Sequence, residues 1–147
     1  MRNAITAGLN LIVGHLNDDT RIKTIFSANE DELDFNKKDM YPMANVRINS
    51  NDFNTNDITF EITVVDQRDV NKRQITNKLN GNDNRWDNWS LAYDVLRSVI
   101  NKTEKLQNDE NISFVTSSSP LLIDNAFANG LDGYSVLITL NFPNTLC

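Results

Sequence analysis

Side chains that commonly carry catalysis are scarce in this chain. Its 147 residues include one histidine, His15, and one cysteine, Cys147. Nucleophilic catalysis needs a nucleophile and a base within hydrogen-bonding reach, and His15 lies beside an apolar helical stripe with no second histidine to join it. A single cysteine also excludes an intrachain disulfide and a cysteine metal cluster. We therefore predict a solvated or partly packed His15 and no acyl-transfer chemistry.

The acidic residues offer another route to chemistry, a Mg²⁺ site of the kind that nucleases use. The candidates lie on or just after one strand-like segment: Asp57, Glu61, Asp66 and Asp69. Asp57 and Asp66 fall at opposite ends of that segment, and the spacing of the four residues fits no metal motif. No glycine-rich phosphate-binding loop follows a predicted strand. The sequence thus predicts no metal and no cofactor, with a metal-dependent nuclease near Asp66 as a less favoured alternative.

Two tryptophans, Trp86 and Trp89, open a helical segment. Stacking on nucleic-acid bases is one role for such a pair, but a net charge of −6 opposes tight nucleic-acid binding, which needs clustered Lys and Arg. An acidic wall past which DNA slides without binding remains compatible with this charge. We predict that Trp89 packs in the core and that Trp86, at the edge of the apolar stripe, anchors a protein interface.

Two helices are predicted from apolar residues that recur every three or four positions. The first covers residues 3–17, where Gly8 and Gly14 each weaken it by about 1 kcal/mol. Its apolar stripe is predicted to contain Ile5, Leu9, Ile12 and Leu16. The second begins at residue 83 or 87 and ends at 105. Its apolar face is predicted to contain Trp89, Ala92, Tyr93, Leu96, Val99 and Ile100.

Alternation of apolar and polar residues predicts the strands. They cover 21–27, 41–49, 57–66, 111–116 and 134–142, and the longer connections are loops at 29–39, 67–84 and 117–133. Strands with one apolar face need that face to be covered, and two amphipathic helices need an apolar sheet face to pack against. The sequence therefore predicts a single α+β domain over residues 1–147, in the order α-β-β-β-α-β-β. Its sheet is largely antiparallel, with about five strands and both helices on one face.

The two long loops carry opposite charge. The acidic residues in 29–39 include Glu30, Asp31, Glu32 and Asp34, and the basic residues that follow the central strand are Arg68, Lys72, Arg73, Lys78 and Arg85. A head-to-tail ring joins two different patches of the same protein, and opposite charges fix such a contact. We predict that these residues, with Trp86, form a subunit interface.

No segment is predicted to enter a membrane. The longest apolar stretches, such as 9–13 and 136–140, are far shorter than the roughly 20 residues that span a bilayer. The N-terminal segment lacks the continuous apolar region and the small-residue cleavage site of a signal peptide. We therefore expect a protein that stays in the cytoplasm where it is made.

Two segments of the sequence resemble a known group of proteins. They are DNWSLAYDVLRSVINK (87–102) and LDGYSVLITLNFPN (131–144), together with a cysteine at position 147. They look like small neck and tail proteins of tailed bacteriophages, including the crAss-like type, and the element order is similar to that of the tail terminator family. The tract 67–84 is longer than a minimal terminator needs, which leaves open a terminator proper or another ring stacked beside it.

The resemblance implies a virion structural protein, assembled in the cytoplasm of the bacterial host. It implies a homo-oligomeric ring, a hexamer or a dodecamer, that contacts other neck or tail proteins and lines the channel through which DNA passes without sequence-specific binding. The family has no catalytic residues to carry over, so no enzymatic activity is expected. A non-viral oligomeric adaptor or binding module is the alternative.

Overall fold

The elements follow the predicted α+β class. The computed structural model describes residues 4–27, 41–67, 85–105, 112–126 and 130–142. Its elements in chain order are α1 (Ala4–Asn17), β1 (Thr24–Phe26), β2 (Met43–Asp52), β3 (Asp57–Gln67), α2 (Arg85–Glu104), β4 (Ser113–Ser117), β5 (Leu121–Ala126) and β6 (Leu131–Asn141). The prediction of an α+β fold with two helices is confirmed, with one strand more than the predicted order contains.

The sheet has six strands in the order β1-β2-β3-β6-β4, and β5 also pairs with β6. The pairs β2–β3, β3–β6, β4–β6 and β5–β6 are antiparallel. Strand β1 runs parallel to β2, so the sheet is mixed. The antiparallel prediction holds for every pair except this edge pair.

Strand β5 lies inside the segment 117–133, which the sequence analysis predicted to be a loop. The run Ser117, Ser118, Ser119 and Pro120 resembles a loop because these residue types favour turns. Ser118 nevertheless keeps the edge paired with β6. Its amide donates to the carbonyl of Leu137 at 2.8 Å, and its hydroxyl accepts from the Leu137 amide at 2.9 Å. Strands β4 and β5 therefore follow successive halves of β6 as one interrupted edge.

Both helices pack on the same face of the sheet. Strand β3 alternates in register, so that Ile58, Phe60, Ile62 and Val64 point into the core beneath the helices. Most of their register partners on β2 and β6 belong to the same buried cluster, which also contains Ile12 of α1. This alternation confirms the segment that the sequence predicted most clearly.

The opposite face of the sheet is not uniformly polar. A second buried cluster consists of Tyr41, Met43, Val65 and Leu131, each no more than 4% exposed. Met43 and Val65 are register partners, and Val65 follows Val64 of the main core. The expectation of a single covered face is therefore wrong at this end of the sheet, where two consecutive valines of β3 are buried on opposite sides.

The buried stripe of α1 differs from the predicted one at its start. Gly8, Ile12 and Leu16 are buried, whereas Ile5 is 36% exposed. These three positions lie four residues apart and therefore share one face of the helix. Gly8 belongs to the packed face because the aromatic rings beneath it leave no room for a side chain.

Candidate functional site

Helix α2 is turned so that aromatic residues remain at the surface. Its buried residues are Asn88, Ala92, Val95, Leu96, Val99 and Thr103. Tyr93, predicted on the apolar face, is 43% exposed, and Trp86 is 55% exposed. Trp89 is half-buried. Small and branched side chains thus form the contact with the sheet, and the large rings border it.

These rings line a groove between the first turns of α2 and strand β6. The groove has a volume of about 430 Å³, and its lining residues are Trp86, Trp89, Ser90, Tyr93, Asp94 and Tyr134. Helix positions three and four apart face the same side, which places Trp86, Trp89, Ser90 and Tyr93 in one row. Tyr134 reaches the groove from β6, where it is the register partner of Val64.

Two contacts hold the groove in shape. The indole Nε1 of Trp89 donates a hydrogen bond of 3.0 Å to the carbonyl oxygen of Ile123 in β5. The rings of Tyr93 and Tyr134 meet edge to face, with centroids 5.8 Å apart and planes at 70°. Aromatic pairs favour this arrangement. The groove is therefore built by α2, β5 and β6 together.

The charge at the groove comes from Asp94, which is exposed. Arg21 is close enough for its pKa to respond to Asp94. Its hydrogen bonds with Asp19 are the main cause of a raised pKa, the charges of Asp19 and Asp94 add to it, and burial opposes it. Nε and Nη2 of Arg21 lie 2.9 and 2.7 Å from the two carboxylate oxygens of Asp19. Arg21 is thus already paired, which leaves Asp94 as the acidic group of the groove.

The carboxylates weighed as metal ligands are dispersed. Asp57 begins β3, where its Oδ1 accepts a 2.7 Å hydrogen bond from Asn141. Glu61 lies mid-strand and pairs with Nε of Arg47 at 3.1 Å. Asp66 is near the far end of β3, and Asp69 lies outside the described residues. Within the described ranges, no group of three or more His, Cys, Asp or Glu side chains is placed to hold a metal ion.

The structure adds a carboxylate that the sequence analysis missed. Asp132 is fully buried and is the register partner of Asp66 on the neighbouring strand. Burial raises the pKa of Asp66, while a hydrogen bond from the Gln67 amide and the charge of Lys23 lower it less. The pairing of Asp132 with Asp66 could not be predicted from the sequence because it depends on the β3–β6 register, which local periodicity does not define.

His15 is half-buried at the contact between the helices. Its Nδ1 lies 3.3 Å from the hydroxyl of Thr103, and that hydroxyl donates to the carbonyl of Val99 at 2.7 Å. Because the only hydroxyl hydrogen is used in that bond, Nδ1 must be the donor to Thr103. Burial is the main cause of the lowered pKa of His15, Lys102 lowers it further, and Asp18 opposes the shift. His15 therefore has a packing role, within the range that the sequence predicted.

The predicted subunit-interface residues fall mostly outside the described part of the chain. The residues outside the described ranges are Glu30, Asp31, Glu32, Asp34, Arg68, Lys72, Arg73 and Lys78. Of the two that are described, Trp86 lines the groove and Arg85 begins α2, with its Nη1 3.8 Å from Oδ1 of Asp124. The structure thus places one predicted interface residue in the groove and the other beside β5.

A second exposed apolar site lies at the other end of the sheet. Phe53, in the turn between β2 and β3, is 88% exposed. With Ile5, Ile58 and Phe142 it borders a depression of about 260 Å³. Strand β3 starts beside this turn and ends at Gln67, whose carbonyl accepts from Asn88 of α2 at 3.3 Å. Tyr134 of the groove pairs with Val64, seven residues along β3 from Asp57, so at about 3.3 Å per residue the two sites are separated by roughly 20 Å along the strand.

No protein-family model matches the chain, and no curated protein sequence matches it. Neither helix in the described ranges has the length and apolar content needed to cross a bilayer.

Proposed function

We propose that this protein is a structural subunit of a bacteriophage virion. It assembles with copies of itself into a ring in the head-to-tail connector or upper tail, joins the portal or neck to the tail, and lines the DNA channel. The observation that carries the proposal is the exposed aromatic face of α2. The resemblance of segments 87–102 and 131–144 to neck and tail proteins supplies the viral context.

The α2 groove has the composition of a protein contact surface. Tyr and Trp are enriched in interface cores and among the residues that contribute most to binding. Trp86 and Tyr93 are exposed here, and two other aromatic residues support them. An exposed aromatic cluster beside a well-packed core loses contact with water when a partner covers it.

The distribution of exposed apolar groups supports a head-to-tail arrangement. Phe53 and the groove lie toward opposite ends of β3, and they are two different surface patches. A contact between two different patches of one protein closes into a ring when its rotation permits. The opposite charges of the tracts 29–39 and 67–84 add electrostatic selectivity to such a contact.

Molar mass in solution and electron microscopy test this proposal. We expect closed rings with a lumen that admits duplex DNA, and dissociation of those rings as salt increases, because exposed charge pairs are screened. Trp86→Ser should reduce assembly. Val115→Thr, which changes another exposed apolar residue on β4, is the matched control and should not.

The alternatives give different results. A persistent monomer or dimer would support the adaptor function and contradict the ring. Rings that are unchanged at high salt, or after Lys72 and Arg73 are both replaced by Glu, would contradict the electrostatic part. A Mg²⁺-dependent nuclease activity lost in Asp66→Ala would overturn the structural function in favour of an enzyme.

A further inference from the structure

We propose that the α2 groove binds the guanidinium group of an arginine side chain presented by a partner protein. The inference rests on the proposed role of this groove as a protein contact and adds the chemistry that the contact recognises. Its evidence is the set of aromatic rings, their fixed geometry and the position of Asp94.

The aromatic lining suits a cation. Four of the six lining residues are aromatic, and the face of an aromatic ring is negative, so it attracts a cation within about 6 Å of the ring centre. The Tyr93 and Tyr134 rings meet edge to face, with planes at 70°, and this contact fixes their orientation on the groove wall. A cation that stacks on the lining contacts ring faces of the kind that bind alkylated ammonium groups.

The groove is formed before any ligand enters. Trp89 is held by its 3.0 Å hydrogen bond to Ile123, so its ring loses little freedom on binding. The same bond occupies the indole hydrogen, which is the only polar hydrogen on that side chain. Trp89 therefore presents ring surface to a ligand, and its indole donor is not available to an anion.

Asp94 gives the groove the charge that complements a cation. It is an exposed carboxylate on the groove wall. The nearby Arg21 is paired through two nitrogens with Asp19, which offsets its positive charge. A guanidinium group in the groove can therefore contact aromatic faces and a carboxylate at the same time.

Arginine is favoured over a small ammonium ligand by the open shape of the site. Trp86 is 55% exposed and Tyr93 is 43% exposed, so the groove does not enclose a ligand. A planar guanidinium stacks on an aromatic face and also forms paired hydrogen bonds with a carboxylate. The aliphatic part of an arginine side chain covers further apolar surface as it leaves the groove.

Intrinsic tryptophan fluorescence tests the proposal directly. The chain has two tryptophans, and both line the groove, so their emission reports on this site. We expect a saturable change when N-acetyl-arginine amide is added at millimolar concentration. N-acetyl-citrulline amide has nearly the same shape without the charge and should bind at least several-fold more weakly. Tetramethylammonium represents a quaternary ammonium ligand, such as a choline headgroup, and should also bind more weakly than the arginine compound.

Two variants test the assigned residues. Tyr93→Leu and Asp94→Asn should each weaken binding of the arginine compound by roughly twofold to fivefold. Both positions are exposed, so the fold should be retained, and far-UV circular dichroism checks this. Glu104→Gln removes an equal charge from the far end of the same helix and should leave the affinity unchanged.

Several results would overturn the inference. Equal binding of the arginine and citrulline compounds would exclude a cation site, and tighter binding of tetramethylammonium would exclude arginine as the ligand. Unchanged affinity in both Tyr93→Leu and Asp94→Asn would place the binding elsewhere. Because these titrations use small molecules on the isolated chain, their failure is distinguishable from failure of ring assembly, which molar mass measures separately.

Discussion

Gly8 lets helix α1 lie directly against two aromatic rings, and this close approach can be tested. A Cβ atom added at Gly8 would lie 2.4 Å from Cζ of Phe60 and 3.0 Å from Cζ of Phe142. Both rings are fully buried, and carbon atoms in favourable contact are about 3.5 to 4.0 Å apart. In Gly8→Ala, either the helix must move away from the sheet by about 1 Å or Phe60 must leave its position.

The expected magnitude follows from two opposing effects. Alanine in place of glycine inside a helix stabilises it by about 1 kcal/mol. Inserting a methyl group into a packed core costs about 1 to 3 kcal/mol. Gly14 lies on the exposed side of the same helix, with no atom within 4 Å of an added Cβ. The difference between Gly8→Ala and Gly14→Ala therefore isolates the packing cost, about 1 to 3 kcal/mol.

Urea unfolding followed by far-UV circular dichroism measures this difference. We expect Gly14→Ala to be more stable than the natural chain and Gly8→Ala to be less stable than Gly14→Ala. Each 1 kcal/mol corresponds to about 2 to 4 °C in Tm for a chain of this size. Phe60→Leu should reduce the penalty of Gly8→Ala, since the two positions are in contact. Equal stabilisation by the two alanines would refute the close approach of α1 to Phe60.

Three further predictions follow from buried or crowded positions. Gly133→Ala should destabilise the protein by about 3 kcal/mol or more, measured by urea unfolding, because the added Cβ would lie 1.9 Å from the carbonyl oxygen of Val64; a near-neutral effect would contradict the strand spacing. Burial raises the pKa of Asp66 above its unfolded value, so the contribution of Asp66 to stability is greatest below the pKa of the unfolded chain and is lost as pH rises through the pKa of the folded protein. Asp66→Asn keeps an acceptor for the Gln67 amide, so it should reduce the pH dependence of the free energy of unfolding and stabilise the protein at neutral pH. If the free energy of unfolding of the variant changes with pH as much as that of the natural chain, this prediction is wrong. The pKa of the His15 imidazole, followed by NMR, should lie below about 6.5 and should increase in Lys102→Ala, because Lys102 lowers it; an unchanged value would remove Lys102 as a cause.

The main sheet could be predicted from the sequence because its signal is local. Strand β3 alternates apolar and polar residues over most of its length, and burial follows that alternation from Asp57 to Val64. Strand β5 could not be predicted in the same way. It pairs with β6 through Leu121 to Ile123, and the serine-rich segment before it gives no local sign that Ser118 continues the paired edge through its bonds to Leu137.

The candidate site was predicted only in part. Trp86 was predicted as an interface residue because it lies at the edge of the apolar stripe, and it lines the groove. Tyr93 was predicted on the buried face, yet it is exposed because the helix buries Asn88, Val95 and Thr103 instead. Asn88 is buried with a hydrogen bond to Gln67, a tertiary contact that hydrophobic periodicity does not include.

The face that α2 turns toward the sheet links the packing of this protein to its proposed function. A helix that buried Tyr93 and Trp89 fully would place bulky rings against β6, whereas Ala92 and Val99 allow a closer approach. Tyr93 then meets Tyr134 at the border of the core, and Trp89 is held at its indole nitrogen by Ile123. The aromatic groove is thus a consequence of packing the helix through its smaller residues. Substitutions at Trp86 and Tyr93 should consequently affect binding more than folding, which is the behaviour required of an interface residue and not of a core residue.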